Sequence, residues 1–286
     1  MVFTAPAKVN LYLNVIRKMN NGYHEIDTLF ERISIFDRIS VEPAAGNTSI
    51  SCDDSRVPTG VNSLLGRTVS MFNDACGKSL CFHIHLEKNI PIGAGLGGGS
   101  SDAASLLRAL NKIAEFPLGS EELLRIAREL GSDVPFFLEE CSFARGSGRG
   151  DIVKKIETPL DIWHVLVNPD FEVSSKKVYE KASAFGLTKD RGIDRMMTAF
   201  SGSNKINNLS ENLRNDLQAI VLRDFPILEQ VFYELKNAGA QGVLLSGSGP
   251  TVFGIFAKDM ATKAAEKIRR AFFEKKGWQV FSARTY

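Results

Sequence analysis

The sequence holds few of the residues that build metal or redox centres. Four cysteines (Cys52, Cys76, Cys81, Cys141) and four histidines occur in 286 residues, with no CxxC pair and no zinc-type spacing. Cysteines this sparse fit a reducing cytosol, where thiols pack as small hydrophobes, so a cytoplasmic location is expected. No apolar run approaches the roughly 18–20 residues of a membrane helix. The stretch from Met1 to Lys8 has no charged segment leading into an apolar one, which argues against a signal peptide. Charge of one sign is not in excess either. With 35 basic and 33 acidic side chains the formal net charge is +2. That excludes a strongly basic nucleic-acid binder and an acidic solvating tail, leaving only a local basic patch open. Internal repeats, low-complexity tracts and long linkers are missing as well.

What is present is an ordinary globular composition, 44% hydrophobic and 24% charged, long enough for one large or two modest domains. The first half opens with alternating segments, Val9–Val15 and Ile33–Val41, separated by an Asn20-Asn21-Gly22 turn. A helix is expected over Val61–Ala75, a strand over Leu80–Leu86, and a helix from about Ser101 to Lys112 with Ala103, Leu106, Leu107 and Leu110 on one face. Ser120 reads as the N-cap of a helix over Glu121–Leu130 that stops at Gly131. His83 and His85 alternate within a strand. A metal pair there lacks a third ligand nearby, so solvent-facing positions are expected.

In the second half, Ile162–Val167 reads as a strand and Pro226–Ala238 as a helix stopped by Gly239. Strands Val243–Ser246 and Thr251–Phe256 follow, then a helix capped by Asp259 and running to about Lys275, then a strand near Val280. This β-α-β-β-α-β order matches a ferredoxin-like split βαβ plan, with the helices between Ser174 and Leu222 inserted. Neither half shows strict βα alternation. The expected class is therefore α+β, with a boundary near residues 150–160.

Glycine is where the composition departs from the ordinary. Of 24 glycines, Gly93, Gly95, Gly97, Gly98 and Gly99 fall within seven positions. Glycines let backbone N–H groups approach a ligand closely, and the helix that follows aims its orphan N–H groups and positive dipole end at the loop. Such a combination binds phosphate. Ser100 and Ser101 add hydroxyls, either of which could reach a phosphate-held metal ion. The Walker A pattern fails because no lysine follows Gly98. The dinucleotide pattern fits at Gly93, Gly95 and Gly98, but without the βαβ start or the acidic residue at a second strand end that it requires.

Pro91 to Ala104 resembles the second motif of the GHMP kinases (galactose, homoserine, mevalonate and phosphomevalonate kinases), a loop that wraps ATP phosphates. Ala5 to Leu11 resembles their first motif and Leu245 to Thr251 their third, and the resemblance runs from residue 5 to about residue 256. It implies a two-domain α+β fold, with a ribosomal S5 domain 2-like N-terminal half (residues 1–155) and a ferredoxin-like C-terminal half (residues 156–286). The combination of Ala7 to Leu11, Gly22-Tyr23-His24, Gly97 to Ala104 and Gly131 to Phe137 resembles members that phosphorylate a cytidine diphosphate sugar-alcohol on the methylerythritol phosphate route to isoprenoid precursors. Another substrate of the family (mevalonate or homoserine type) and a non-catalytic nucleotide-binding module are the competing readings. ATP and Mg2+ are implied, with no nucleic-acid or membrane partner, in a monomer or homodimer.

Carried over residue by residue, the resemblance makes Asp133 the general base and Lys8 its electrostatic partner. By spacing alone Asp133 equally fits an N-cap for the Val134–Leu138 turn, and Lys8 an edge-strand lysine. ATP would be held by Pro91, Ile92, Gly93, Ala94, Gly95, Leu96, Gly97, Gly98, Gly99, Ser100 and Ser101, with Asn62, Ser63, Leu64 and Lys88 around the adenine. Ser101 is the candidate metal contact through the phosphates, and Asp102 is left between metal and cap. The second substrate would meet Asn10, Tyr23, His24, Ser175, Tyr179, Gly247 and Ser248, the rings of Tyr23 and Tyr179 flanking the base. Ser174-Ser175-Lys176 departs from the proline-rich run usual before this second aromatic, which leaves the register of Ser175 and Tyr179 open.

Overall fold

The computed structural model describes residues 1–184, 192–199 and 205–286. Two long antiparallel strands, β1 (Val2–Lys18) and β2 (His24–Ala44), form its spine. They join through a turn in which Met19 N donates to Tyr23 O and Gly22 has φ 84°. The alternating segments seen in the sequence are thus parts of much longer strands. Register shifts at Pro6/Ala7, Asn10/Tyr12 and Val15/Arg17 explain this: bulges let a long strand bend and accommodate a proline that has no N–H to give.

The first sheet adds β3 (Ser49–Cys52), β4 (Cys81–Glu87), β5 (Phe143–Ser147) and β6 (Ile152–Ile156). Four helices accompany it: α1 (Leu64–Cys76), α2 (Gly98–Ile113), α3 (Ser120–Leu130) and α4 (Val134–Leu138). Their buried faces, including Val69 and Phe72 of α1, Leu106 and Leu110 of α2 and Ile126 of α3, pack on Ile39, Val41, Ile84 and Leu86 of the sheet. On β4, His83 and His85 face outward and bond Ser49 Oγ and Ser51 Oγ at 2.7 and 2.9 Å.

The second sheet contains β7 (Trp163–Asn168), β9 (Gly242–Leu245), β10 (Val252–Phe256) and β11 (Gln279–Arg284) in the order β11-β7-β10-β9, every neighbour antiparallel. Helices α9 (Ile227–Asn237) and α10 (Lys258–Ala271) make the two crossovers. This is the ferredoxin-like arrangement. Between β7 and α9 lie α5 (Ser175–Ala184), α6 (Ile193–Ala199), α7 (Lys205–Glu211), α8 (Gln218–Asp224) and the two-residue β8 (Arg214–Asn215). β8 crosses back to pair in parallel with β1. Asn215 then donates to Leu245 O and Gly247 O at 2.8 and 2.7 Å, linking β1 to the loop after β9.

Several helix ends differ from expectation, among them that of α2, which starts at Gly98 rather than about Ser101 and so takes in the last two glycines of the run. Helix α1 starts at Leu64 rather than Val61, capped by Ser63, whose Oγ accepts from Gly66 N. Gly119 occupies the N-cap of α3, with Ser120 already helical. Ala257 caps α10, and Asp259 sits in its first turn. That helix ends at Ala271 rather than Lys275, because Phe272 turns in to pack on Trp278, ring centroids 4.8 Å apart. Among the described residues, no helix is long and apolar enough to cross a membrane.

Candidate active site

The glycine loop runs between β4 and α2. Gly93, Gly95 and Gly97 take φ of 65°, 77° and 71°, a region that favours glycine. Close packing adds a second requirement at Gly95, where a Cβ would stand 2.2 Å from Ser246 O. Gly97 is the N-cap of α2 and no side chain caps that helix, so its first N–H groups are left to a ligand. The loop is tied on both sides. Lys8 N donates to Leu96 O at 2.9 Å, Ser246 Oγ to Gly95 O at 3.0 Å, and Thr251 N to Ala94 O at 3.3 Å. The third motif therefore closes directly onto the second.

Lys8 lies on β1 and is 4% exposed. Its ammonium donates to Asn10 Oδ1 at 2.7 Å and Gly95 O at 3.0 Å, and stands 3.7 Å from Asp133 Oδ2. Burial pulls its pKa below the ordinary lysine value, while the Asp133 carboxylate pulls it back up. Asn10 is oriented from behind: its Nδ2 donates to Thr28 Oγ1, which donates to Tyr12 O. Asp133 holds the N-cap position of α4, yet its side chain makes no capping bond. The carboxylate faces Lys8 instead, 28% exposed.

These groups open on a single cavity of about 570 Å³. Its walls include Lys8, Asn10, Leu64, Lys88, the backbone from Pro91 to Ser100, Asp133, Ser175, Tyr179, Gly247 and Ser248. Ser175 Oγ and Ser248 Oγ lie 2.6 Å apart across it. Val57, Pro58, Leu65 and Leu86 add an apolar side.

Five expected site residues lie outside that lining. Asn62 is exposed, and the Ser63 hydroxyl is spent on capping α1. Ser101 is fully buried, its Oγ without a partner among the described residues, because the first turn of α2 rotates it inward and leaves Ser100 on the wall. Tyr23 is 54% exposed and packs against Arg149, whose guanidinium carbon is 4.9 Å from the ring centroid. His24 rather than Tyr23 stands beside Tyr179, centroids 5.3 Å apart. Burial, then the nearby Asp133 charge, raises the Tyr179 pKa, so its hydroxyl stays neutral.

Lys88 reaches the cavity wall but is not a free cation. Its ammonium is held by Asp37 Oδ2 and, at 2.8 Å, by Asp102 Oδ2. Burial alone would lower its pKa; Asp102 and Asp37 together outweigh burial and raise it. Asp102 is itself pushed well above the carboxylate range, chiefly by burial. Asp37 also accepts from Asn89 N and Ile90 N at 2.6 and 2.7 Å. Sequence reasoning missed Asp37, whose only signal is a carboxylate inside an apolar strand. It also missed Arg149, a cavity residue flanked by Gly148 and Gly150.

Residues 63–140 match the model of the GHMP kinases N terminal domain, and residues 196–275 that of the GHMP kinases C terminal domain. The chain belongs to the GHMP kinase family. It is 38% identical to the 4-diphosphocytidyl-2-C-methyl-D-erythritol kinase of Syntrophotalea carbinolica over 98% of this chain and 97% of that relative. The enzyme of the same name from Syntrophus aciditrophicus is also 38% identical, over 98% of each chain. A solved 4-(cytidine 5'-diphospho)-2C-methyl-D-erythritol kinase superposes over 100% of both chains with a TM-score of 0.82 at 34% identity. A homoserine kinase from Cytophaga hutchinsonii shares the fold, with a TM-score of 0.77 at 17% identity over 99% of this chain and 94% of that one. As a GHMP kinase, the chain uses ATP as a substrate.

Proposed function

We propose that this GHMP kinase transfers the γ-phosphoryl group of ATP to the 2-hydroxyl of 4-diphosphocytidyl-2-C-methyl-D-erythritol, giving the 2-phosphate and ADP for isoprenoid precursor synthesis. The carrying observation is the Lys8–Asp133 contact of 3.7 Å on the wall shared with the glycine loop. Phosphoryl transfer needs positioning and charge stabilisation more than covalent catalysis. Asp133 takes the proton from the 2-hydroxyl, that oxygen bonds the γ-phosphorus, and the bond to the β–γ bridging oxygen breaks. Lys8 holds the carboxylate and faces the charge that develops.

In this reading α2 and the loop N–H groups cradle the phosphates, and Leu64 with its apolar neighbours takes the adenine. Tyr179, His24 and the Tyr23–Arg149 pair take the cytidine end, with Asn10, Ser175, Gly247 and Ser248 along the acceptor. A Mg2+ ion held mainly by phosphates suits the wall: Asp102 lines it with Oδ1 unpartnered among the described residues, and Ser100 lies beside it. The metal would neutralise phosphate charge, Asp102 and Ser100 being the protein groups nearest to hold it. Strands β1–β6 lie in one sheet and β7 and β9–β11 in another, which supports domains of residues 1–155 and 156–286, with only the two-residue β8 crossing back to the first sheet among the described residues.

Purified protein with ATP and each acceptor tests the proposal. ADP release should rise with the cytidylyl alcohol, above mevalonate and homoserine controls, and should stop on chelation of divalent metal. No rise above those controls overturns the substrate assignment.

A further inference from the structure

Asp133 stands at the start of a helix with only five residues. So short a helix has almost no ladder of its own, because the first four N–H and last four C=O groups of any helix lack intrahelical partners. Glu139 N donating to Pro135 O at 3.1 Å is the closing bond of α4, and Asp133 adds no side-chain cap. The helix must be held from outside.

Arg32 of β2 holds it. Its Nη2 donates to Phe136 O at 3.0 Å and Phe137 O at 2.7 Å, and its guanidinium carbon lies 5.4 Å from the Phe136 ring centroid. Arg32 is fixed in turn: its N donates to Ser142 O at 2.8 Å, and its O accepts from Tyr286 N at 3.0 Å. The side-chain environment is unfavourable for a cation. The residue is 5% exposed, Nε has no acceptor among the described residues, and burial lowers its pKa to about 10. The α4 carbonyls and the ring are the compensation. Phe136 also stacks on Phe30, centroids 4.7 Å apart, and Phe30 lies 5.9 Å from the Lys8 ammonium. The element that carries Asp133 and the floor beneath Lys8 thus share one anchor.

We propose that Arg32 is a positioning residue for phosphoryl transfer, fixing the Asp133 carboxylate against Lys8 by clamping the carbonyl end of α4 to β2. This rests on the reading of Asp133 as base. Arg32 lies outside the lining of the active-site cavity, so it touches neither substrate. Its removal acts on the reacting geometry, where a displacement near 1 Å can cost about 100-fold in rate.

The test compares Arg32→Met and Arg32→Lys with Arg108→Met and Asp133→Asn, each assayed below its own melting temperature in steady-state kinetics with ATP and the cytidylyl alcohol. Arg108 is the control, since it reaches Phe137 O only at 3.5 Å. Arg32→Met should lower kcat about 10- to 100-fold with both KM values within about twofold of wild type. Arg32→Lys, keeping one charged donor, should fall between, and Arg108→Met should match wild type. If Arg32→Met does not fold, Arg32→Lys decides, with a loss of at least threefold in kcat at unchanged KM required. A folded Arg32→Met with kcat within threefold of wild type overturns the inference. So does a fall in kcat accompanied by a matching rise in the ATP KM, which would mean a loosened loop. If Asp133→Asn is inactive while Arg32→Met is unaffected, only this inference fails. Wild-type turnover in Asp133→Asn removes the base assignment and this inference with it.

Discussion

The Lys8 ammonium lies 3.7 Å from Asp133 Oδ2 and 3.0 Å from Gly95 O. One buried cation thereby touches both the carboxylate and the loop that would hold the phosphates. Its protonation is set by two opposed effects, burial lowering the pKa from 10.5 and Asp133 raising it. The ammonium is the working form, so turnover should be lost as pH rises through a value below that of an ordinary lysine. Removing the Asp133 charge should lower it further. The pH dependence of Lys8 acylation, read by mass spectrometry in wild type and Asp133→Asn, checks this. An unchanged or higher midpoint in the variant contradicts it.

Gly95 packs directly against the loop after β9. An alanine there would combine φ 77° with a Cβ 2.2 Å from Ser246 O. The conformation alone costs about 1–2 kcal/mol for an L side chain, and the clash pushes the loops apart. Gly95→Ala should raise the ATP KM and lower Tm. Gly60→Ala, with nothing within 4 Å of its Cβ, should do neither.

Lys88 lies between Asp37 and Asp102, its side chain 5% exposed. Lys88→Met would leave two buried carboxylates facing each other. Breaking a buried charged arrangement in this way costs about 3–5 kcal/mol, and a denaturation midpoint measures it. Asp37→Asn in the same background should recover part of the loss. A Lys88→Met protein as stable as wild type, with a raised ATP KM alone, would make Lys88 a nucleotide contact instead.

Tyr179 lines the cavity wall, with His24 packed against its ring. Aromatic stacking on a base contributes about 1–3 kcal/mol. Tyr179→Ala should therefore raise the KM for the cytidylyl alcohol about 10- to 100-fold and leave that for ATP unchanged. Tyr23→Ala should act on the same constant through Arg149. A change confined to ATP would place the cytidine elsewhere.

The parts of this molecule readable in the sequence are those with local causes. Five glycines in seven positions announce the phosphate loop, and Gly239, at φ 97°, marks a helix end because backbone conformation is a local property. What could not be read depends on partners distant along the chain. Asp37 becomes the counter-ion of Lys88 only once β2 pairs with β4. Ser100 and Ser101 look equivalent until the rotation of α2 buries one of them. Tyr23 faces Arg149 because the hairpin end folds toward the loop between β5 and β6. The ferredoxin-like half was legible as an order of elements, whereas the return of β8 to β1 rests on two residues with no pattern of their own.

The central claim is that Asp133 takes the acceptor proton, and single-turnover transfer by Asp133→Asn tests it most directly. The substitution keeps shape and removes the basic oxygen. ATP affinity should stay within a fewfold of wild type while transfer to the cytidylyl alcohol falls by about 100- to 10,000-fold. Transfer at a near-wild-type rate in that variant would contradict the account.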